Sequence, residues 1–220
     1  MVTLKSRTWH FLLLGFLAST WEVASARAAP PSAIPVAAER VVAEVVLKGG
    51  TLVDGTGSPR RQADVAVRAD RVVAVGSFEV DPKAKVIDAS SLIVAPGFID
   101  LHTHSDDGIT QAKTRLNQNY LAQGVTTIVT GNCGFGVLDV HKYFAAIDAH
   151  GAGTNVVHLV PHGPVRSAVM GNVDRPPSRA ELERMKRLVE RGMEEGAWGL
   201  SSGLIYVPGR YAGTSELIEL

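Results

Sequence analysis

Along residues 44–96, short runs of Val and Ile alternate with turn formers. VVLKG, ADVAV, RVVAVG, KVIDA and SLIVAP carry the runs, and Gly49-Gly50, Asp54-Gly55, Gly57 and Asp81-Pro82 separate them. β-Branched runs bounded by Gly, Pro and Asp read as strands, and their spacing predicts a small antiparallel sheet, part of a sandwich. After Pro96 the pattern lengthens to strand, loop and helix, repeated. Strands are expected at 98–103, 125–130, 155–160 and 197–205. Helices are expected at 110–123, stopped by Gly124, at 138–150, stopped by Gly151, and from Ser178 to Gly196. Ser178 with Glu181 three residues on is a capping box, and Leu182, Met185, Leu188 and Met193 are spaced for one apolar face. A further helix opens at Thr214-Ser215-Glu216. Alternating strands and helices imply parallel strands with right-handed crossovers. Four such units fit either half of an eight-fold barrel, which needs about 250 residues when closed, or part of an open sheet.

The first residues follow another pattern. Lys5 and Arg7 precede the apolar run Phe11–Leu17, and small residues follow, with Ala24-Ser25-Ala26 and Ala26-Arg27-Ala28 as cleavage patterns. This is the layout of a secretory signal peptide, and the run is shorter than the roughly 20 residues that span a bilayer. Residues 1–28 are therefore expected to be a cleaved signal, 29–43 a Pro/Ala-rich linker, 44–96 the sandwich portion and 97–220 the α/β portion. The protein is expected to be exported to the periplasm or the exterior, with no membrane anchor after cleavage. Charge alters little: Lys and Arg balance Asp and Glu at 22 each. No basic stripe suggests nucleic acid.

Export makes the single cysteine, Cys133, conspicuous, because it has no partner in the chain for a disulfide. It lies in Gly131-Asn132-Cys133-Gly134-Phe135-Gly136, directly after the second expected strand. There it is either a small buried thiol or a metal-ligating thiolate, and its place in a Gly-rich loop favours the ligand. A phosphate-binding loop is disfavoured, since no Lys follows as in a P-loop. At the end of the first strand stands His102-Thr103-His104. Residues i and i+2 of a strand share a face, so both imidazoles can reach one divalent metal. The C-terminal ends of parallel strands are where α/β folds place their sites. His158 and His162 share a phase on the third strand and read as satisfied polar groups. His141 and His150 are expected on a helix facing solvent, and Arg166 at the surface. Ser201, Ser202 and Tyr206 fall at the end of the fourth strand, where Tyr206 either positions a substrate or is a core aromatic.

Taken together, ADVAV, RVVAVG, VAPGFIDLHTHSD, GVTTIVTGNCGFG and GLSSGLIYVPGRYAGTSEL resemble the D-aminoacylase (N-acyl-D-amino-acid deacylase) branch of the amidohydrolase superfamily, over about residues 44–220. The His pair after Pro-Gly-Phe-Ile-Asp marks the superfamily. The Cys loop points to this branch, because dihydroorotases and hydantoinases use a carboxylated lysine instead. The resemblance implies a (β/α)8 TIM-type barrel, of which this chain holds about the first four units, preceded by a small β-sandwich portion. It implies Zn2+ held by His102, His104 and Cys133, and Tyr206 helping to hold the substrate carboxylate. The substrate would be a small N-acyl-D-amino acid, cleaved to a carboxylate and a D-amino acid. The family also uses two later histidines and an acid–base aspartate, expected beyond residue 220, so the chain is expected to be an inactive N-terminal part. Pro161 stands where the family has Gly before His-Gly. Two other readings remain: a cyclic amide or imide hydrolase of the same superfamily, and a non-catalytic metal-binding protein.

The leader reading predicts that secreted protein begins within residues 25–30. N-terminal sequencing that finds Met1 on secreted material would remove it.

Overall fold

The computed structural model describes residues Arg40–Leu220. The expected signal peptide and most of the expected linker lie outside the described residues. Arg40–Val41, inside the stretch expected as linker, form strand β1 and pair in parallel with β5 (Glu79–Val80).

A five-stranded sheet follows. It comprises β2 (Val45–Leu52), β3 (Arg61–Arg68), β4 (Arg71–Gly76), β6 (Lys85–Asp88) and β7 (Ile93–Val94), in the order β4-β3-β2-β6 with β7 also on β2. The runs are strands where the Val/Ile pattern placed them, but the sheet is mixed rather than antiparallel. β2-β3 and β3-β4 are antiparallel, whereas β6 and β7 run parallel to β2. Composition marks a run as extended and carries no direction. The segment between Gly76 and Lys85 is longer than a hairpin turn and carries the chain across to the far edge of β2. The sheet buries residues on both faces: Val46 and Ala66 pack with Ala43 on one, and Leu52, Ala63 and Val65 cluster on the other. Gly49, at φ 71°, sits in the bulge where the β2-β3 register shifts, and its N–H donates to Asp64 Oδ1 at 2.7 Å.

Beyond Pro96 the strands are β8 (Phe98–Asp100), β9 (Val125–Thr130), β10 (Asn155–His158), β11 (Val160–Pro161) and β12 (Leu200–Ser201). β8-β9, β9-β10 and β11-β12 all pair in parallel. The third expected strand is thus two pieces hinged at Leu159. Its first part lies beside β9 and its second beside β12, with Leu159 N–H donating to Thr130 O (3.0 Å) and Val160 N–H to Gly199 O (2.8 Å). The order in space follows the order in sequence, as expected for successive βα units. The first and fourth strands are shorter than expected, ending at Asp100 and Ser201.

The helices are α1 (Gln118–Leu121), α2 (Val140–His150), α3 (His162–Met170), α4 (Arg179–Glu194) and α5 (Thr214–Glu219). No helix among the described residues is long and apolar enough to cross a membrane. α2, α3 and α4 cover the strands through Val140, Val160, Val165, Met185, Val189 and Ala197, and a second cluster joins Ile109, Ile128, Tyr143 and Ile147.

Three helical expectations need correction. The span 110–123 is mostly turns, because Asn117 adopts left-handed φ 46° while its buried Nδ2 donates to Thr154 Oγ1 at 2.9 Å. That tertiary bond breaks the local helix and leaves only α1. Helix α3 was not foreseen from Pro161-His162-Gly163-Pro164, although Pro is tolerated in a first helical turn, where its missing N–H is not needed. On α4 the buried stripe is Met185, Val189 and Gly192, with Met193 exposed. Gly192 packs where a Cβ would fall 2.6 Å from Val160 Cγ2.

The α4 start matches the sequence: Ser178 Oγ accepts the Glu181 N–H at 3.3 Å, and Glu181 Oε2 accepts the Ser178 N–H at 2.8 Å. Arg175 adds a two-pronged contact to Glu181 at 2.8 Å for each bond. Replacing Ser178 with Ala should lower stability by about 1 kcal/mol. Urea denaturation of the two proteins, with an unchanged slope and a lower midpoint, checks this.

Candidate metal centre

The two histidines lie just past the end of β8. Between them Thr103 turns inward, and both its N–H (3.1 Å) and its hydroxyl (2.7 Å) donate to the carbonyl of Val129 on β9. Alternation along extended backbone then sends His102 and His104 to the opposite side, where both are exposed. Asp100 Oδ1 accepts the His102 N–H at 3.1 Å, and the two rings meet edge-on with centroids 5.4 Å apart.

Cys133 arrives from β9. Gly131 takes φ 77°, and a Cβ there would run into the carbonyl of Leu159, so only glycine fits. Asn132 is buried, and its Nδ2 donates to Val129 O at 2.8 Å and Thr103 O at 3.3 Å. Cys133 itself sits at φ 55°, ψ 26°, a left-handed conformation uncommon for a residue with a Cβ. The half-buried sulfur ends 3.2 Å from His102 Nε2, and the ligand atoms of His102, His104 and Cys133 all lie within 4.8 Å of one another. Zinc bonds of about 2.0–2.3 Å in tetrahedral geometry place neighbouring ligands about 3.5 Å apart, so this N, N, S donor set fits such an ion. The structure thus brings together all three residues singled out in the sequence for a metal.

Tyr206 lies nearby but not on a strand. The fourth strand ends at Ser201, and Tyr206 sits half-exposed in the turn that follows, its ring 4.7 Å from that of Phe135 in an edge-on contact. Cys133, Phe135, Gly163, Gly203 and Tyr206 line one small recess. A cleft of about 460 Å³ is bordered by His104, Lys113, Thr114, Asn117, Asn119 and Tyr120.

The remaining histidines stay outside the cluster. His141 and His150 are exposed on α2. His158 is fully buried. Its Nε2 lies 2.8 Å from Val137 O and its Nδ1 2.9 Å from Thr130 Oγ1. A carbonyl only accepts, so Nε2 carries the proton and Nδ1 takes one from the Thr130 hydroxyl. Burial holds the His158 pKa below the ordinary imidazole value and pushes the Tyr143 phenol up. His162 is buried with Nε2 2.9 Å from Glu216 Oε1. Arg166, expected at the surface, is fully buried; it pairs with Glu216 Oε2 and donates to Arg175 O at 2.6 Å. This His162–Arg166–Glu216 trio escaped the sequence reading, whose one available sign was the i, i+4 spacing of His162 and Arg166 on a helix that was itself unforeseen.

Residues 85–213 match the amidohydrolase family. An N-acyl-D-aspartate deacylase of Alcaligenes xylosoxydans xylosoxydans is 37% identical over 201 residues, covering 81% of this chain and 40% of that protein. A D-aminoacylase of the same organism is 36% identical over 200 residues, covering 80% of this chain and 41% of that protein. The crystal structure of an N-acyl-D-glutamate deacylase from Bordetella bronchiseptica, complexed with zinc and a phosphonate inhibitor, superposes with a TM-score of 0.75. It is 36% identical, over 82% of this chain and 42% of that one. The chain spans about 40% of the length of the curated relatives it matches.

The depressed His158 pKa has a consequence for stability. The neutral ring is the folded form, so its contribution is complete above the unfolded value near 6.5 and is lost as pH falls from there toward the folded value. Urea unfolding across pH 7 to 4 should show the wild type losing more stability in acid than His158→Gln. Parallel pH curves would contradict the buried neutral assignment.

Proposed function

Because this chain belongs to the amidohydrolase family, we propose that His102, His104 and Cys133 hold Zn2+ in an enzyme that hydrolyses the linear amide of N-acyl-D-amino acids, giving a carboxylate and a D-amino acid. The observation that carries this is the Cys133 sulfur standing 3.2 Å from His102 Nε2. The relatives with deacylase names support the substrate class. A thiolate in this place also disfavours the cyclic-amide reading, which goes with a carboxylated lysine.

The chain's own residues have separable tasks. His102 and His104 bind through neutral ring nitrogens, and Cys133 as a thiolate that offsets part of the ion's charge. Zinc there supplies Lewis acidity toward the acyl carbonyl and lowers the pKa of water. Tyr206, in the recess it shares with Cys133, offers a hydroxyl to the substrate carboxylate. The cleft beside His104 is of a size suited to a small ligand and takes the substrate's remaining groups. The acid–base aspartate is assigned outside these 220 residues, so the isolated chain should show no turnover.

The proposal extends to architecture and location. The parallel strands β8 to β12 are read as the first half of a (β/α)8 barrel, supported by their sequential order and the helices α2, α3 and α4 packed against them. The mixed sheet β2–β7 is read as part of a β-sandwich. Export rests on the leader pattern of residues 1–28.

The product of the complete gene should release D-amino acids from N-acyl-D-amino acids and lose this activity when zinc is chelated. Cys133→Ala should remove most of it. Tyr206→Phe should chiefly raise KM, through a loss of about 1–3 kcal/mol of substrate binding if its hydroxyl meets the carboxylate. Steady-state assays on paired D- and L-substrates decide the matter. Equal rates on both, or activity that survives Cys133→Ala, would mean a different enzyme.

A further inference from the structure

Cys133 is held in its left-handed pose by groups outside its own loop. Asp106, just past the His pair, accepts the Gly131 N–H on Oδ1 at 2.7 Å. Ser201, the last residue of β12, makes a double contact: its Oγ accepts the Gly134 N–H at 3.0 Å and donates to the carbonyl of Gly131. One hydroxyl therefore spans Asn132-Cys133 and grips the backbone on either side. A serine hydroxyl has the one donor and the acceptor capacity this needs. The turn after Ser201 presses on the same loop, since a Cβ on Gly134 would fall 2.8 Å from Gly203 N.

We propose that Ser201 and Asp106 are positioning residues that hold the Cys133 loop in the conformation that turns its sulfur toward His102. The inference rests on the zinc reading above. At φ 55° Cys133 occupies backbone space that L-residues with a Cβ seldom adopt, and the pose persists because the surroundings impose it. With the Ser201 hydroxyl removed, the Gly134 N–H and Gly131 carbonyl lose their partner, and the loop is free to relax toward negative φ, swinging the sulfur away from His102. Neither residue is one of the three grouped as ligands. Both act through Cys133, as groups behind metal ligands commonly do.

The test uses the product of the complete gene and two readouts: zinc affinity by chelator competition, and the thiolate-to-cobalt charge-transfer absorption after loading with Co2+. Ser201→Ala and Asp106→Ala should weaken zinc binding on the order of 10–100-fold and reduce or shift the absorption while the circular dichroism spectrum stays that of the wild type. Ser201→Thr, which keeps the hydroxyl, and Asp106→Asn, which keeps an acceptor oxygen, should stay close to the wild type in both. Cys133→Ala should abolish the absorption. Wild-type affinity and absorption in both alanine variants, with the band lost in Cys133→Ala, would overturn the positioning role and leave the zinc reading standing. A complete wild-type enzyme that gives no thiolate band with Co2+ would overturn the zinc reading, and this inference with it.

Discussion

A single backbone carbonyl joins the two halves of the centre. Val129 O, near the end of β9, receives the N–H and hydroxyl of Thr103 and the side-chain amide of Asn132. Thr103 lies between the two histidines, and Asn132 precedes the cysteine. The carbonyl therefore fixes the height of the His segment relative to the Cys loop, and the convergence of three ligand atoms follows from the register of β8 on β9. Buried backbone acceptors are nearly always paired. Here three donors share two lone pairs, so any slip along the strands would strand several polar groups together.

The parts of this arrangement that were legible in the sequence are those decided by local geometry. His102 and His104 share a face because extended backbone repeats every two residues. Cys133 stands at a strand end because a Gly-rich turn follows a Val/Ile/Thr run. The Ser178–Glu181 cap needed only spacing. What remained hidden depends on distant partners. Nothing near Asn117 announces that it will bond Thr154 and break a helix. The direction of β6 is set by where its connection lands. Arg166 looks like any helical arginine until Glu216, fifty residues away, meets it in the core.

That buried trio shows how helix α5 is anchored. Glu216 on α5 faces His162 and Arg166 on α3, all three essentially without solvent contact. Arg166 also reaches the carbonyl of Arg175 in the segment leading to α4. Charges this deep are tolerated only while paired, because desolvation of a lone ion exceeds what packing returns. His162 also opens α3 directly behind Pro161, so the trio holds the end of β11 and, through it, the paired strand β12 that carries Ser201.

The six residues from Gly131 to Gly136 look like a portable motif, yet what aims the thiol belongs to four separate stretches of chain: Thr103 and Asp106, Val129, Leu159 and Ser201. Grafted into an unrelated scaffold, the hexapeptide would deliver a cysteine without a direction. A designer borrowing this centre would have to copy neighbouring strand ends in their mutual register, and a pattern search restricted to the hexapeptide would retrieve look-alikes whose sulfur faces nothing.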